Sequence, residues 1–223
     1  ASMNASPDTT VLYGGNMATV LSMTGDGLIV EIQDLSIMNG SGSETIEMTS
    51  GSMPETGGGL FCSGESSLAL DGVILSQNEA EAGGAIALDE CSLELETSII
   101  ESNTAANAGG IMANNSDISM NQSYISENEV TGVASAIYMY ADEDALNFEM
   151  NESLISDNIA STTFGGSAVA LAAWPAAAAD NATTLAALCL SGPGGSLLWA
   201  TLTGITISAL HGIGHNFLRK PPR

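Results

Sequence analysis

The sequence predicts an all-β chain wound as a parallel β-solenoid, a β-helix of about five to six coils, and three observations carry that prediction. One segment recurs four times between Gly57 and Asn158: GGGLFCSGESSLALDGVILSQN, GGAIALDECSLELETSIIESN, GGIMANNSDISMNQSYISEN and ASAIYMYADEDALNFEMNESLISDN. The closing asparagines Asn78, Asn103, Asn128 and Asn158 fall 25, 25 and 30 residues apart. Apolar residues within each repeat alternate with a period of 2, between Gly, Asn, Asp and Ser, which signals strands rather than helix.

Each repeat carries three such strand segments. A pair follows the glycines: Leu60 and Cys62, Ile86 and Leu88, Ile111 and Ala113, Ile137 and Met139. A second pair comes next: Leu68 and Leu70, Leu93 and Leu95, Ile118 and Met120, Phe148 and Met150. A single aliphatic residue then precedes the closing Asn by three positions: Leu75, Ile100, Ile125 and Ile155. Strands this short cannot bury their apolar faces alone, but coils stacked at the inter-strand spacing of ~4.8 Å bring like residues onto like. The asparagines then form a turn ladder, each amide bonding its neighbours and tolerating a left-handed backbone. The glycine pairs suit corners where a side chain would clash or φ must be positive.

The pattern extends upstream. A common offset of 63 aligns Val30, Ile32, Ile37 and Gly40 with Leu93, Leu95, Ile100 and Asn103, so residues 11–40 read as an earlier coil and 41–56 as a long turn. No charged leader followed by an apolar run opens the chain. An uncapped solenoid end exposes strand edges, so further sequence or a partner is expected there. The fourth repeat lengthens the stretch between its first two segments to Tyr140–Asn147, where the third has Asn114–Asp117. The added length carries Asp142, Glu143 and Asp144, read as a solvated outward loop; three acids make them candidate Ca²⁺ ligands, although the alternating EF-hand pattern is missing.

Charge narrows the function classes. Asp and Glu total 26 against three basic residues, a net charge of −23, and Arg219, Lys220 and Arg223 are those three. A surface without cations through residue 218 repels nucleic acid, anionic membranes and polyanionic substrates. It also keeps exposed strands soluble and apart.

The GGAI at Gly83–Ile86, its variants GGGL and GGSAV, and the four aliphatic-x-x-Asn closings resemble the GGA(I/L/V) and FxxN repeats of the polymorphic outer-membrane protein family, over roughly Gly57–Leu171. The Phe of FxxN is Leu or Ile in every repeat here. The resemblance implies a right-handed β-helical passenger of autotransporter type, a surface adhesin.

Two parts are expected: a β-helix over 1–171, clearest at 57–171, and an Ala-rich apolar tail over 172–223. Within the tail, 196–213 (SLLWATLTGITISALHGI) is uncharged and followed by RKPPR. It reads either as a helical membrane anchor at the short end of a span, with a basic flank, or as an end-cap or tail whose TLTGITIS alternates like a strand. His211 and His215 stand i,i+4 in HGIGH, the spacing of a metal-binding helix face, but no third ligand is placed near them. Cys62 and Cys91 suggest a bridge, yet the register argues against it: Cys62 stacks on Leu88, and Cys91 lies three residues on, up to about 10 Å along the strand, beyond the ~7 Å a disulfide spans. Cys189 is a small apolar tail residue.

The rival function is a glycan-active β-helix enzyme. Absence of Arg and Lys from the repeats removes a uronate lyase mechanism, and a hydrolase needs carboxylates facing one groove. Glu94, Glu96 and Glu149 are the acids nearest to that pattern, on what is also the ordinary solvent face of an amphipathic strand. Sequons occur at Asn4, Asn39, Asn114, Asn121, Asn151 and Asn181. The reading reached is an extracellular or cell-surface protein, membrane-anchored if 196–213 spans. It displays solenoid turns for multivalent contact with a protein or glycan on another surface, without nucleic acid or cofactor.

Overall fold

The computed structural model describes residues 10–48, 51–141, 147–161, 169–173 and 206–211. These residues are all-β, with no helix, and wind as a parallel β-solenoid of about five turns. A first sheet stacks Val11–Tyr13, Ser36–Met38, Ile74–Ser76, Ile99–Glu101, Tyr124–Ser126 and Leu154–Ser156 in chain order, all parallel. The second, widest sheet includes Leu60–Asp71, Ile86–Glu96, Ile111–Asn114 with Asp117–Asn121, and Ile137–Ala141 with Asn147–Asn151. A third sheet joins Glu79–Ala82, Thr104–Asn107, Glu129–Val130 and Ile159–Ala160.

The apolar alternation sets which side faces in. Ile37, Leu75, Ile100 and Ile125 form a file along the first sheet, each fully buried. Leu68, Leu93, Ile118 and Phe148 make a second file, and Leu70, Leu95, Met120 and Met150 a third. Burial of each such side chain contributes about 1.5–3 kcal/mol. The offset of 63 holds in space: Val30 pairs with Leu68, Ile32 with Leu70 and Ile37 with Leu75.

Two segments expected to be separate strands are one bent strand in the earlier coils, Leu60–Asp71 and Ile86–Glu96. The third sheet went unread in the sequence because its inward file is Ala80, Ala105, Val130 and Ala160, side chains too small to show as hydrophobic alternation. Residues 41–56 are more than a turn: Glu44–Met48 and Gly51–Thr56 pair antiparallel as a hairpin, Ile46 opposite Met53. Ile46, fully buried, packs outside the solenoid among Phe61, Ala87, Met112 and Tyr140, with Met53 and Tyr138 against them. These outward apolar residues form a second, smaller core.

The disulfide expectation is overturned. Cys62 and Cys91 are bridged, with Cα atoms 6.3 Å apart. The register argument assumed a straight strand, whereas the wide sheet bends between its two halves. Asp89 pairs with Ser63 but Cys91 with Ser66, so Gly64 and Glu65 lie opposite Glu90 alone, a β-bulge. Gly64 (φ 88°) and Glu90 (φ 58°) are both left-handed, which turns the chain and returns Cys91 to the interior beside Cys62.

The glycine corners follow the stated reasons. Gly83 has φ 65°, and a Cβ on Gly84 would lie 2.4 Å from the carbonyl oxygen of Gly109 in the next coil. Downstream, Val169–Ala173 continues the wide sheet on Ile137–Ala141, and Thr206–His211 pairs with Asn147–Asn151. Within 196–213, therefore, the described part is strand rather than helix; 196–205 and 212–213 lie outside the described residues. No helix among the described residues is long and apolar enough to cross a membrane.

Candidate functional site

The ladder asparagines stand in file. Asn78 Nδ2 donates to Asn103 Oδ1 at 3.0 Å, Asn103 Nδ2 to Asn128 Oδ1 at 2.9 Å, and Asn128 Nδ2 to Asn158 Oδ1 at 2.9 Å. Each of those oxygens also accepts the backbone N–H of the Asn in the preceding coil, at 3.0 Å. Gly40, in the same file, donates its N–H to Asn78 Oδ1 at 2.9 Å. One detail differs from expectation: the left-handed residue is the one before each amide, Gln77, Ser102, Glu127 and Asp157, and the asparagines themselves are not left-handed. A parallel hydroxyl ladder was not anticipated. Ser123 Oγ accepts the N–H of Ser98, and Ser153 Oγ that of Ser123, both at 3.0 Å. Its signal was present in sequence, a Ser five residues before each of Asn103, Asn128 and Asn158. These ladders are structural: they satisfy buried turn backbone and rigidify the stack.

The surface the ladders support is the outer face of the wide sheet beyond the bend. Period 2 places three outward files there. The first is Ile29, Ser67, Ser92, Asp117 and Asn147; the second is Glu31, Ala69, Glu94, Ser119 and Glu149. The third is Gln33, Asp71, Glu96, Asn121 and Asn151. The small side chains of Ser67, Ala69, Ser92 and Ser119 leave a trough of about 650 Å³ between the first two files, bordered by Glu31, Glu94 and Glu149.

Neighbouring files treat their acids differently. In the third, Asn121 Nδ2 donates to both oxygens of Glu96 at 2.8 and 2.6 Å, Asn151 donates to Asn121 at 2.8 Å, and Thr97 Oγ1 donates to Asp71 at 2.8 Å. In the second, Glu31 accepts from Gln33 Nε2. Glu94 sits between Ala69 and Ser119, and neither neighbour reaches it with a donor among the described residues. The sequence grouped Glu94, Glu96 and Glu149 together; the structure puts Glu94 and Glu149 in one file with Ser119 between, and Glu96 in the next.

A second polar feature lies under the hairpin. Asn114 Nδ2 donates to Asp89 Oδ1 at 2.8 Å, while Asn114 Oδ1 is buried without a partner. Burial pushes the Asp89 carboxyl above its ordinary range, the Asn114 hydrogen bond opposes that, and the Glu47 charge adds to it. Burial likewise raises the Tyr138 hydroxyl. Sequence reasoning missed this patch; its one signal was apolar Phe61, Met112 and Tyr138 at positions that should face solvent.

Asp142, Glu143 and Asp144, the candidate Ca²⁺ ligands, lie outside the described residues, as does His215; His211 ends the strand Thr206–His211. No group of three or more His, Cys, Asp or Glu among the described residues is placed to hold a metal ion. Of the sequons, Asn114 is buried at 2% exposure, Asn39 and Asn121 are half-buried and Asn151 is exposed; Asn4 and Asn181 lie outside the described residues. Comparison with known proteins adds no relative: no family model, curated protein or solved structure matches the chain.

Proposed function

We propose that this protein is a secreted or cell-surface β-solenoid whose role is structural and adhesive, presenting its outer sheet to a protein or glycan on another surface. The observation that carries this reading is the trough face, where Glu31, Glu94 and Glu149 border a floor of small side chains held in register by buried ladders. A rigid rod repeating a carboxylate at every second coil favours weak contacts made many times over. The buried Cys62–Cys91 bridge supports a life outside the reducing cytosol. The likeness of the repeats to polymorphic outer-membrane repeats points the same way.

The test is binding of labelled protein to intact cells and to immobilised surface glycans. Saturable binding that weakens when the trough face is altered, and not when the third sheet is altered, is the expected result. Binding indifferent to both changes would overturn the reading. A glycan-active enzyme is the second reading, favoured by one observation: Glu94 and Glu149 stand two rungs apart, ~9.6 Å along the stack, close to the ~6.5–9.5 Å carboxyl separation of inverting glycosidases. Release of reducing ends from a polysaccharide panel, abolished by Glu94→Gln, would establish it instead.

A further inference from the structure

The partner's chemistry can be sharpened from register alone, on the premise that the trough is the binding face. In the second outward file acids and small residues alternate by coil: Glu31, Ala69, Glu94, Ser119, Glu149. Carboxylates thus recur every second rung, a period of about 9.6 Å along the solenoid axis. The third file also contains acids, but there Glu96 is held by Asn121 and Asp71 by Thr97. Its charge is already engaged within the sheet, as is that of Asp117 in the first file by Asn147. In the second file Glu94 and Glu149 offer their carboxylates to the trough, and Glu31 accepts from Gln33 beside it.

A chain lying in the trough along the axis must present cations on one face at that period. An extended β-strand repeats the same face every ~6.6 Å and falls out of step after one contact. A polyproline II helix has three residues per turn at ~3.1 Å each, so side chains three apart share a face ~9.3 Å apart. Over the two intervals from Glu31 to Glu149 the accumulated mismatch is only about 0.6 Å. The trough's apolar parts, Ala69 and the 87% exposed Ile29, suit pyrrolidine rings. A polyproline II chain is also ordered before it binds, which lowers the entropy lost on docking. We infer that the wide sheet's outer trough is a docking groove for a proline-rich polyproline II segment bearing Lys or Arg at every third residue.

Fluorescence anisotropy with labelled (Pro-Pro-Lys)₆ at low and physiological salt tests this against a peptide of equal lysine number in Pro-Pro-Pro-Lys repeats. The three-residue spacing should bind more tightly. Glu94→Gln and Glu149→Gln should each weaken binding about two- to fivefold, the range for single exposed ion pairs. Glu81→Gln, an equal charge change on the third sheet, should leave it unchanged. Ala69→Glu, which makes three successive rungs acidic, should erase part of the preference for spacing. Equal binding of the two peptides, equal weakening by Glu81→Gln and Glu94→Gln, or no binding at low salt would each overturn the inference. If trough variants still lose cell binding while the peptides fail, this partner assignment falls and the adhesive reading stands. If cells bind every variant alike, the adhesive reading falls with it.

Discussion

Two cores in this molecule are built differently. Inside the solenoid the amides of Asn78, Asn103, Asn128 and Asn158 sit over copies of one another, so translation by one coil brings a donor onto an acceptor, as Asn103 does between Asn78 and Asn128. Beneath the hairpin the neighbours are unlike: Asp89 stacks on Ser63 and Asn114, Asn114 on Tyr140, and the Asn114 oxygen is left unpaired. Repetition makes hydrogen-bond satisfaction automatic, whereas a patch assembled from different residues satisfies its polar atoms only by individual fit.

The largest effect expected from this contrast is on the aliphatic file. Ile100 is fully buried between Leu75 and Ile125, and Ile100→Asp places an unpaired charge there, a loss of several kcal/mol. Ile29→Asp puts the same carboxyl on an 87% exposed residue and should change stability by less than about 0.5 kcal/mol. Chemical denaturation of the pair is the check; similar midpoints would mean the inward assignment is wrong.

Next in size is the amide ladder. Asn103→Ala removes the acceptor of both the Asn78 backbone N–H and the Asn78 side-chain amide. Each donor left dry costs about 1–3 kcal/mol, so a loss of about 2–6 kcal/mol is expected for the two. Asn151→Ala, at an exposed amide of the outer face, should cost well under 1 kcal/mol. A comparable loss for both would show that the ladder owes nothing to burial.

The disulfide follows. It closes a loop across 29 positions, for which chain-entropy reasoning gives about 3–4 kcal/mol. Reduction, or the double Cys62→Ser/Cys91→Ser variant, should lower the melting temperature without changing the far-ultraviolet spectrum at 25 °C. Unchanged melting would place the bridge among contacts the stack makes redundant.

These expectations divide along the line that separates what periodicity reveals from what it hides. The core files, the asparagine column and the early coil at offset 63 were readable because each rests on like residues at constant spacing. Cys62–Cys91 was misread because a single bulge at Glu90 breaks constant spacing, and no pattern in the repeat announces where a strand bends. The third sheet escaped because alanine carries too little hydrophobic contrast. The outer trough was half visible: Glu94 and Glu149 stood out, but only strand register sorts them from Glu96 and interleaves them with Ala69 and Ser119. The hairpin core was invisible because it brings residues 46 and 53 onto 61, 112 and 138, contacts that no repeat encodes.

That unrepeated patch yields the smallest and most directional effect. The folded Asp89 carboxyl binds its proton more tightly than the unfolded one, whose ordinary value is 3.8, because burial outweighs the Asn114 hydrogen bond and Glu47 adds repulsion. A carboxyl raised on folding favours the native state while protonated, and that advantage is lost as pH rises from the unfolded value through the folded one. Asp89→Asn carries no charge at any pH and keeps the shape. Its amide also supplies donors beside the unpaired Asn114 oxygen, worth about 1 kcal/mol if one bond forms. The variant should therefore melt higher than the parent at neutral pH, and its advantage should shrink as pH falls toward the unfolded value of 3.8. Parallel melting curves across that range would mean Asp89 is as well solvated folded as unfolded, and that the hairpin does not seal the face it covers.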